Sequence, residues 1–286
     1  MTKTSFAKTQ ALGNDFLIRR VEDVLSMPES AGLAKAMCDR KYGAGADGIV
    51  FFSTAGGELA PRFASRIFNA DGSEAEISGN GTRCLAAYLH FAGIFAGTEV
   101  EIATAAGLKR GELLSHEGRL YEFEFEMGEP RLAPSEIPIA LDPHFERVVA
   151  YPLKARGQEI KVTCVSMGNP HCTLFLERAQ YPDLRETGSL LENHPLFPNR
   201  TNVEFARIIS EEEIEVAFWE RGVGLTLSSG TGSSAAAVAA ALNGFTGRNV
   251  LVQTAGGRLR VNWRDDNIVT LTGWAGVIYE GQWLQE

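Results

Sequence analysis

The chain has 286 residues, of which 44% are hydrophobic and 22% are charged, a balance typical of a globular protein large enough for two domains. Its net charge of −9 argues against nucleic acid or an anionic membrane as a partner, but a small anionic substrate stays open because an acidic protein can hold a locally positive site. The N-terminal residues lead into no apolar stretch typical of a signal peptide, and no run is long enough to span a bilayer, so we expect a cytoplasmic protein.

The cysteines are too sparse to predict a disulfide framework, and none of them has CxxC spacing. We therefore expect reduced thiols in a cytosolic protein and no metal site. The four cysteines are Cys38, Cys84, Cys164 and Cys172.

The first half of the chain predicts short strands with few helices. A turn at Gly13-Asn14-Asp15 separates the first two strands. Residues 43–48 match GxGxxG, but a helix precedes them and a strand follows, the reverse of the dinucleotide-binding arrangement, so a plain turn is favoured. The predicted strands are 3–8, 16–20, 49–52, 63–69, 99–104, 108–114 and 120–127, and the first predicted helix is 31–40.

The second half has the same character. Four prolines within residues 128–143 make this segment the best candidate for an inter-domain linker. Residues 177–200 are predicted to be helical in part. The remaining predicted strands are 145–152, 159–166, 172–176, 202–208, 211–219, 249–253, 258–263, 268–271 and 275–280.

Two stretches look like copies of one motif. Ser78-Gly79-Asn80-Gly81-Thr82 and Ser229-Gly230-Thr231-Gly232-Ser233 each place a hydroxyl beside a small-residue turn and then enter an apolar helix-forming segment. Such a turn leaves backbone N–H groups free at a helix start, where a carboxylate or phosphate binds well. The second helix, predicted over 231–243, has almost no polar face and should be enclosed. The motifs lie about half the chain apart, which indicates a duplicated fold with one site between its halves.

Further short motifs occur in order over nearly the whole chain. They are Gly13-Asn14-Asp15-Phe16, Gly45-Ala46-Asp47-Gly48, Asn69-Ala70-Asp71-Gly72-Ser73-Glu74, Gly79-Asn80-Gly81-Thr82-Arg83-Cys84, Met167-Gly168-Asn169-Pro170-His171, Arg200-Thr201-Asn202-Val203-Glu204-Phe205, Glu220-Arg221-Gly222-Val223-Gly224 and Gly230-Thr231-Gly232. Each is weak by itself, but together they are highly specific. The sequence resembles the diaminopimelate epimerases.

The resemblance implies an α/β (α+β) fold of two pseudo-symmetric domains, each a curved, mainly antiparallel sheet or barrel around a central helix. The expected N-terminal lobe is 1–130 plus 275–286, the C-terminal lobe is 131–274, and the active site lies in the cleft between them. The implied activity is inversion of the α-carbon of diaminopimelate, from LL to meso, without a cofactor, usually in a homodimer, on the pathway to lysine and peptidoglycan.

The family reaction uses two cysteines, one on each face of the substrate, as a thiolate that removes the α-proton and a thiol that returns one. This chain has Ser78 and Ser229 at those two positions. A hydroxyl is a much weaker acid than a thiol, whose pKa is about 8.5. The resemblance therefore implies a two-base reaction that is severely slowed. Two explanations stay open: serines introduced to trap a substrate complex, or a natural variant with weak, altered or no proton transfer.

The resemblance also implies roles for other residues. His171 would partner the residue at 78, Glu220 would partner the residue at 229, and Arg221 would bind a substrate carboxylate through its guanidinium. Without the resemblance, His171 would be interpreted as a polar group of a loop or strand end, and Glu220 and Arg221 as a surface ion pair. The residues expected to bind the amino and carboxylate groups of the distal centre are Asn14, Asn69, Asn169 and Asn202. The residues expected to offer N–H groups to the carboxylate at the reacting carbon are Gly79, Asn80, Gly230 and Thr231, for which helix capping is the plainer interpretation.

Two other classes of function fit the residues. A lyase or other isomerase acting on a different small acid could use hydroxyl-bearing side chains for one-sided deprotonation. A ligand-binding protein without catalysis would keep the shape of the site while losing its acidity. A serine hydrolase is a poor fit because neither Ser78 nor Ser229 lies in GxSxG, and a P-loop is poorer because no Gly-Lys-Ser/Thr follows the glycines.

Overall fold

The computed structural model describes residues 2–24, 30–54, 62–75, 78–141, 144–155, 157–176 and 183–285. The chain divides into two compact units. Unit 1 comprises Met1–Phe125 and Thr272–Glu286, and unit 2 comprises Glu126–Leu271.

Unit 1 is a mixed sheet that closes around one helix. The strands β1 to β8 run in chain order, and β17 returns to pair with both β1 and β8, which closes the sheet into a barrel. The strands are β1 (Thr2–Ala11), β2 (Asn14–Arg20), β3 (Gly48–Thr54), β4 (Arg62–Asn69), β5 (Glu74–Ala75), β6 (Glu99–Thr104), β7 (Gly107–Glu117), β8 (Leu120–Gly128) and β17 (Val269–Gln285), and the helices are α1 (Ser30–Cys38) and α2 (Gly79–Phe91).

Helix α2 occupies the core of this barrel. Cys84, Leu85 and Leu89 have no exposed surface and pack against the inward side chains of the strands, among them Phe52 and Phe123. Most residues of α2 are buried, so the surrounding strands enclose the helix. The sheet therefore fixes the position of the start of α2, which carries Ser78.

Unit 2 has the same construction around α4. Residues 232–240 of α4 are buried, as the lack of a polar face in its Ala-rich segment predicts. The strands are β9 (Val148–Ala155), β10 (Gln158–Ser166), β11 (Pro170–Phe175), β12 (Asn202–Ser210), β13 (Glu213–Glu220), β14 (Gly224–Thr226), β15 (Asn249–Thr254) and β16 (Gly257–Trp263), and the helices are α3 (Leu184–Glu192) and α4 (Gly230–Leu242).

The strand pairings of the two units repeat one another. In unit 1, β1–β2, β3–β4, β4–β5 and β6–β7 are antiparallel, while β2–β3 and β4–β6 are parallel. In unit 2 the pairs β10–β11, β12–β13, β13–β14 and β15–β16 are antiparallel, while β11–β12 and β13–β15 are parallel. The fold class predicted from the sequence, two pseudo-symmetric sheets around central helices, is confirmed.

Two local features differ from the sequence predictions. Ile137 and Ile139, in the proline-rich segment predicted as a linker, are buried in the core of unit 2, so the described part of that segment is packed structure. The two final strands predicted at 268–271 and 275–280 are one continuous strand, β17. Pro143 and residues 177–182 lie outside the described residues. Among the described helices, none has the length and apolar character that a bilayer crossing requires.

Candidate active site

The first serine motif forms the N-cap of α2. Ser78 has an extended backbone (φ −138°, ψ 114°), and its Oγ accepts a hydrogen bond from the N–H of Gly81 at 3.1 Å. A Cβ atom on Gly81 would lie 3.2 Å from Ile67 and 3.4 Å from Phe16, so glycine lets the helix start lie close to the sheet. The N–H groups of Gly79 and Asn80 belong to the first helical turn, which has no intrahelical acceptors. They are therefore suited to an anion.

The second serine motif forms the N-cap of α4 in the same way. Ser229 has φ −135° and ψ 126°, its Oγ accepts from the N–H of Gly232 at 3.3 Å, and it is buried. A Cβ atom on Gly232 would lie 2.9 Å from the ring of Phe218 and 3.1 Å from Oε1 of Glu204. The two predicted catalytic serines thus occupy equivalent positions, each beside the positive end of an enclosed helix.

A chain of hydrogen bonds runs along the predicted binding residues of unit 1. Buried Arg83 donates through Nη2 to Oδ1 of Asn80, and Nδ2 of Asn80 donates to Oδ1 of Asn14 at 3.2 Å. Nδ2 of Asn14 then donates to Oδ2 of Asp47 at 2.8 Å, and Arg40 donates to Oδ1 of Asp47 at 2.7 Å. The structure therefore brings Asn14 and Asn80 into direct contact.

An ion-pair network holds the turn that carries Asn14. Asp15 accepts from Arg40 at 2.7 and 3.1 Å and lies 2.5 Å from Nζ of Lys8. Burial raises the pKa of Asp15, but the hydrogen bonds from Arg40 and Lys8 outweigh it and hold that pKa well below its ordinary value. Asp15 is therefore ionised and fixes the turn.

Asn69 is exposed at the end of β4. Its Nδ2 donates to Oγ of Ser73 at 2.9 Å, which closes the turn that follows the strand. The next residue, Ala70, donates its N–H to the carbonyl of Asp47 at 3.0 Å. The turn of Asn69 is thereby tied to the residue that also holds Asn14.

In unit 2, His171 is buried between two oxygen atoms. Its Nδ1 lies 2.7 Å from Oε1 of Glu204, and its Nε2 lies 2.9 Å from Oδ1 of Asn169. Burial raises the pKa of Glu204, against the lowering effect of His171. An amide oxygen can only accept, so Nε2 of His171 is the donor to Oδ1 of Asn169. His171 is thus fixed in orientation and protonated at Nε2.

Asn202 connects the turn of His171 to that of Arg221. It pairs with His171 across the parallel strands β11 and β12, and its Nδ2 donates to the carbonyl of Pro170 at 2.9 Å. Its Oδ1 accepts from the backbone N–H of Arg221 at 3.0 Å, and Nη1 of Arg221 donates to the carbonyl of Asn199 at 3.0 Å. Asn169, His171, Asn202 and Arg221 therefore form one connected group.

Glu220 ends β13 and is partly buried. Oγ1 of Thr226 donates to its Oε1 at 2.6 Å. Burial raises the pKa of Glu220, although Thr226 and His171 act in the opposite direction. A carboxyl with a raised pKa keeps its proton closer to neutral pH, which suits a group that exchanges protons with a neighbour.

The four cysteines do not replace the missing catalytic thiols. All four are free and buried. Burial raises the pKa of both Cys38 and Cys84 to about 12, and the neighbouring Cys164 and burial raise that of Cys172 well above its ordinary value. The thiols of Cys38, Cys84 and Cys172 are therefore protonated core groups at neutral pH. Within the described residues, no group of three or more His, Cys, Asp or Glu side chains could hold a metal ion.

Sequence reasoning assigned no role to two residues of this site, Arg83 and Glu204. Both lie inside the quoted motifs, and both are charged residues within otherwise buried segments. A charged residue within an apolar segment could have identified both, because a charge is rarely buried without a partner.

The whole chain is similar to diaminopimelate epimerases. The family model described as Diaminopimelate epimerase matches residues 6–133 and 163–278. The diaminopimelate epimerase of Pelotomaculum thermopropionicum is 42% identical over 279 residues, covering 97% of this chain and 98% of that protein. The one from Desulforudis audaxviator is 43% identical over 284 residues, covering 98% and 99%.

Solved structures share the fold at low sequence identity. A phenazine biosynthesis protein of the PhzF family from Bacillus anthracis has a TM-score of 0.70 at 15% identity and covers 100% of both chains. A hydroxyproline epimerase from Agrobacterium vitis, with bound trans-4-OH-L-proline, has a TM-score of 0.68 at 17% identity and covers 99% of this chain and 91% of that one. With its motifs, its duplicated fold and its relatives in agreement, the chain belongs to the diaminopimelate epimerase family of isomerases.

Proposed function

We propose that this chain acts on diaminopimelate at its α-carbon, as an LL-to-meso epimerase of lysine biosynthesis that uses no cofactor. One observation carries the proposal: Ser78 and Ser229 cap two enclosed helices with the same geometry. The resemblance to the family predicts the two catalytic thiols at these positions. The residues at 78 and 229 act on opposite faces of one carbon. The N–H groups of Gly79, Asn80, Gly230 and Thr231 bind its carboxylate and stabilise the charge that develops on deprotonation.

The other predicted residues take supporting roles. His171, protonated at Nε2, stabilises the anion of the residue at 78, and Glu220 exchanges a proton with the residue at 229. Arg221 binds the distal carboxylate as a bidentate donor, with Asn14, Asn69, Asn169 and Asn202 around the distal amino-acid group.

Serine at both positions slows this chemistry. Each unit of pKa separates the protonation states by about 1.36 kcal/mol, so a hydroxyl several units less acidic than a thiol forfeits much of a catalytic effect. Ligand binding survives, because serine and cysteine are close in shape and the serine oxygens cap their helices well.

The test is the double substitution Ser78→Cys plus Ser229→Cys. In deuterated water, the cysteine form should exchange the α-proton of LL-diaminopimelate and produce the meso isomer at least about a thousandfold faster than the serine chain. Ser78→Ala plus Ser229→Ala is the matched control, which neither caps nor exchanges. A correctly folded cysteine form that exchanges no faster than the serine chain would refute the assignment.

A binding function without turnover is the second candidate. It is favoured by the raised pKa values of Cys38, Cys84 and Cys172, none of which offers a thiolate at neutral pH. It predicts that diaminopimelate raises the melting temperature of the serine chain while its α-carbon takes up no deuterium. Measurable uptake by the unmodified chain would exclude this candidate.

We also propose that the chain works as a cytoplasmic homodimer. Light scattering should give twice the mass of one chain. A monomer that binds diaminopimelate would contradict the dimer and leave the reaction unaffected.

A further inference from the structure

Arg83 is a buried cation that forms no ion pair with any carboxylate of the described residues. Its side chain has no exposed surface, and burial lowers the pKa of its guanidinium to about 10. Nη2 donates to Oδ1 of Asn80, whereas Nε and Nη1 have no hydrogen-bond partner among the described residues. Burying a charge with so few partners is costly, so its presence calls for an explanation beyond packing.

The position of Arg83 adds to that cost. Side chains of a helix lean toward its N-terminus, and the start of α2 is the positive end of the helix dipole. At the equivalent place in α4, five residues after the capping serine, unit 2 has Ser234, whose Oγ donates to the carbonyl of Gly230 at 3.0 Å. The same fold is therefore built in unit 2 without a cation at this place.

Arg83 determines the orientation of two amides. A guanidinium has donors only, so the atom of Asn80 that faces it must be Oδ1. Nδ2 of Asn80 then faces Oδ1 of Asn14, and Nδ2 of Asn14 faces the carboxylate of Asp47. The chain of hydrogen bonds starts at a cation and ends at an anion, and every link has one consistent direction.

We propose that Arg83 is a positioning residue for carboxylate binding, acting through Asn80 and Asn14 by keeping their amide nitrogens directed as donors. The proposal rests on the proposed function, in which these two residues bind the substrate. Each amide nitrogen carries a second hydrogen beyond the one used within the chain, and with the N–H groups of the first turn these hydrogens favour an anion. Without Arg83, Asn80 can turn its amide and present an oxygen, which repels a carboxylate.

The experiment is calorimetric titration of the unmodified chain and its variants with LL-diaminopimelate. Arg83→Met removes the hydrogen-bond donors but keeps a side chain of similar length. It should weaken binding, raising the dissociation constant about tenfold to a hundredfold. Arg83→Lys restores a charged donor to Oδ1 of Asn80 and should recover most of that loss. Arg19→Met is the matched control. Arg19 lies in β2 of the same unit, donates to Thr4 at 3.4 Å and takes no part in the hydrogen bonds that link Arg83 to Asp47. The affinity of this variant for diaminopimelate should therefore change less than about twofold.

A second variant covers the case in which Arg83→Met does not fold. Asn80→Asp gives Arg83 an anionic partner and keeps the acceptor, but it removes the donor that faces Asn14 and the ligand. We expect a chain that is at least as stable as the parent and that binds diaminopimelate at least about tenfold more weakly.

The outcomes separate the two proposals. If the parent binds diaminopimelate and a folded Arg83→Met or Asn80→Asp variant binds equally well, the role of Arg83 is refuted and the proposed function stands. If Arg83→Lys is as weak as Arg83→Met, a role through charge and donation to Asn80 is also refuted. If the parent itself fails to bind, the proposed function falls, and the role of Arg83 falls with it.

Discussion

Units 1 and 2 share one fold, but each buries charged side chains at places where the other has neutral ones. The parallel pairs Phe16–Gly48 and His171–Asn202 align the two sheets, so that Phe16 corresponds to His171 and Val50 to Glu204. Unit 1 is apolar where unit 2 buries an imidazole and a carboxyl. Conversely, α2 buries Arg83 where α4 has Ser234. Beside one helix start lies a cation, and beside the other lie acidic groups.

This comparison separates folding from function. A buried ion pair is often no more stabilising than well-packed apolar residues, and here each unit shows that the other's charged residues are dispensable for the architecture. Residues that the duplicated fold does without in one copy are therefore the best candidates for binding and proton transfer in the other copy.

The largest expected effect concerns the two capping residues one at a time. Ser78→Cys and Ser229→Cys should each restore α-proton exchange by a few orders of magnitude, because a thiol several pKa units more acidic than a hydroxyl supplies the base. Each single variant should act on one face only, so one should exchange the LL isomer and the other the corresponding centre of the meso isomer. Deuterium uptake followed by NMR on both isomers checks this. Equal exchange of both isomers by one variant would show that the faces are not divided between the units.

The second largest expected effect tests whether the pair Phe16 and Val50 in unit 1 is structurally equivalent to the pair His171 and Glu204 in unit 2. Glu204→Val alone leaves His171 buried without its partner and should lower the free energy of unfolding by about 3–5 kcal/mol. His171→Phe plus Glu204→Val copies unit 1 and should regain about 2 kcal/mol or more of that loss. Urea unfolding of the two single variants and the double variant gives the coupling energy. Additive losses would mean that the two copies are not interchangeable at this place.

The contribution of Asp15 in unit 1 to the pH dependence of stability is opposite in sign to that of Glu204 in unit 2. The pKa of Asp15 in unit 1 is held low, so its contribution is present above the unfolded value of about 4 and is lost as pH falls toward the folded pKa. The raised pKa of Glu204 in unit 2 gives a contribution that is present below the unfolded value and is lost as pH rises toward the folded pKa.

Asp15→Asn is the sharper test of this difference. It should destabilise the chain at pH 7, and the further loss of stability between pH 5 and pH 3 should be smaller than in the parent, because the titrating group is gone. Urea midpoints at pH 7, 5 and 3 measure it. Glu117→Gln, at an exposed position of β7, serves as the control. Parallel pH curves for Asp15→Asn and the parent would contradict the assigned shift.

Local patterns in the sequence predicted most of the strands and the starts of α2 and α4. A small-residue turn followed by an apolar segment determines a helix start through neighbouring residues only, so a single segment is enough to predict it. Local patterns did not predict the partner of His171, since Glu204 is brought to it by the parallel pairing of β11 with β12, across α3. The continuity of β17 was missed because Gly273 and Trp274 interrupt the alternation of apolar residues, which β17 tolerates as part of the sheet. Long-range pairing therefore decides the features that single segments do not specify.

The smallest expected effect compares the two caps themselves. Replacing a capping serine by alanine costs about 0.5–2 kcal/mol, because one N–H of the first turn loses its acceptor. Ser229→Ala should cost more than Ser78→Ala, since Ser229 is buried and water cannot replace its oxygen, whereas Ser78 is only partly buried. Asp183→Ala, at the exposed cap of α3, calibrates the cost of a cap that water can replace. Urea unfolding ranks the three variants. Equal losses of unfolding free energy for Ser78→Ala and Ser229→Ala would show that water reaches both helix starts equally well. The electrostatic difference between the two units would then come only from their charged side chains.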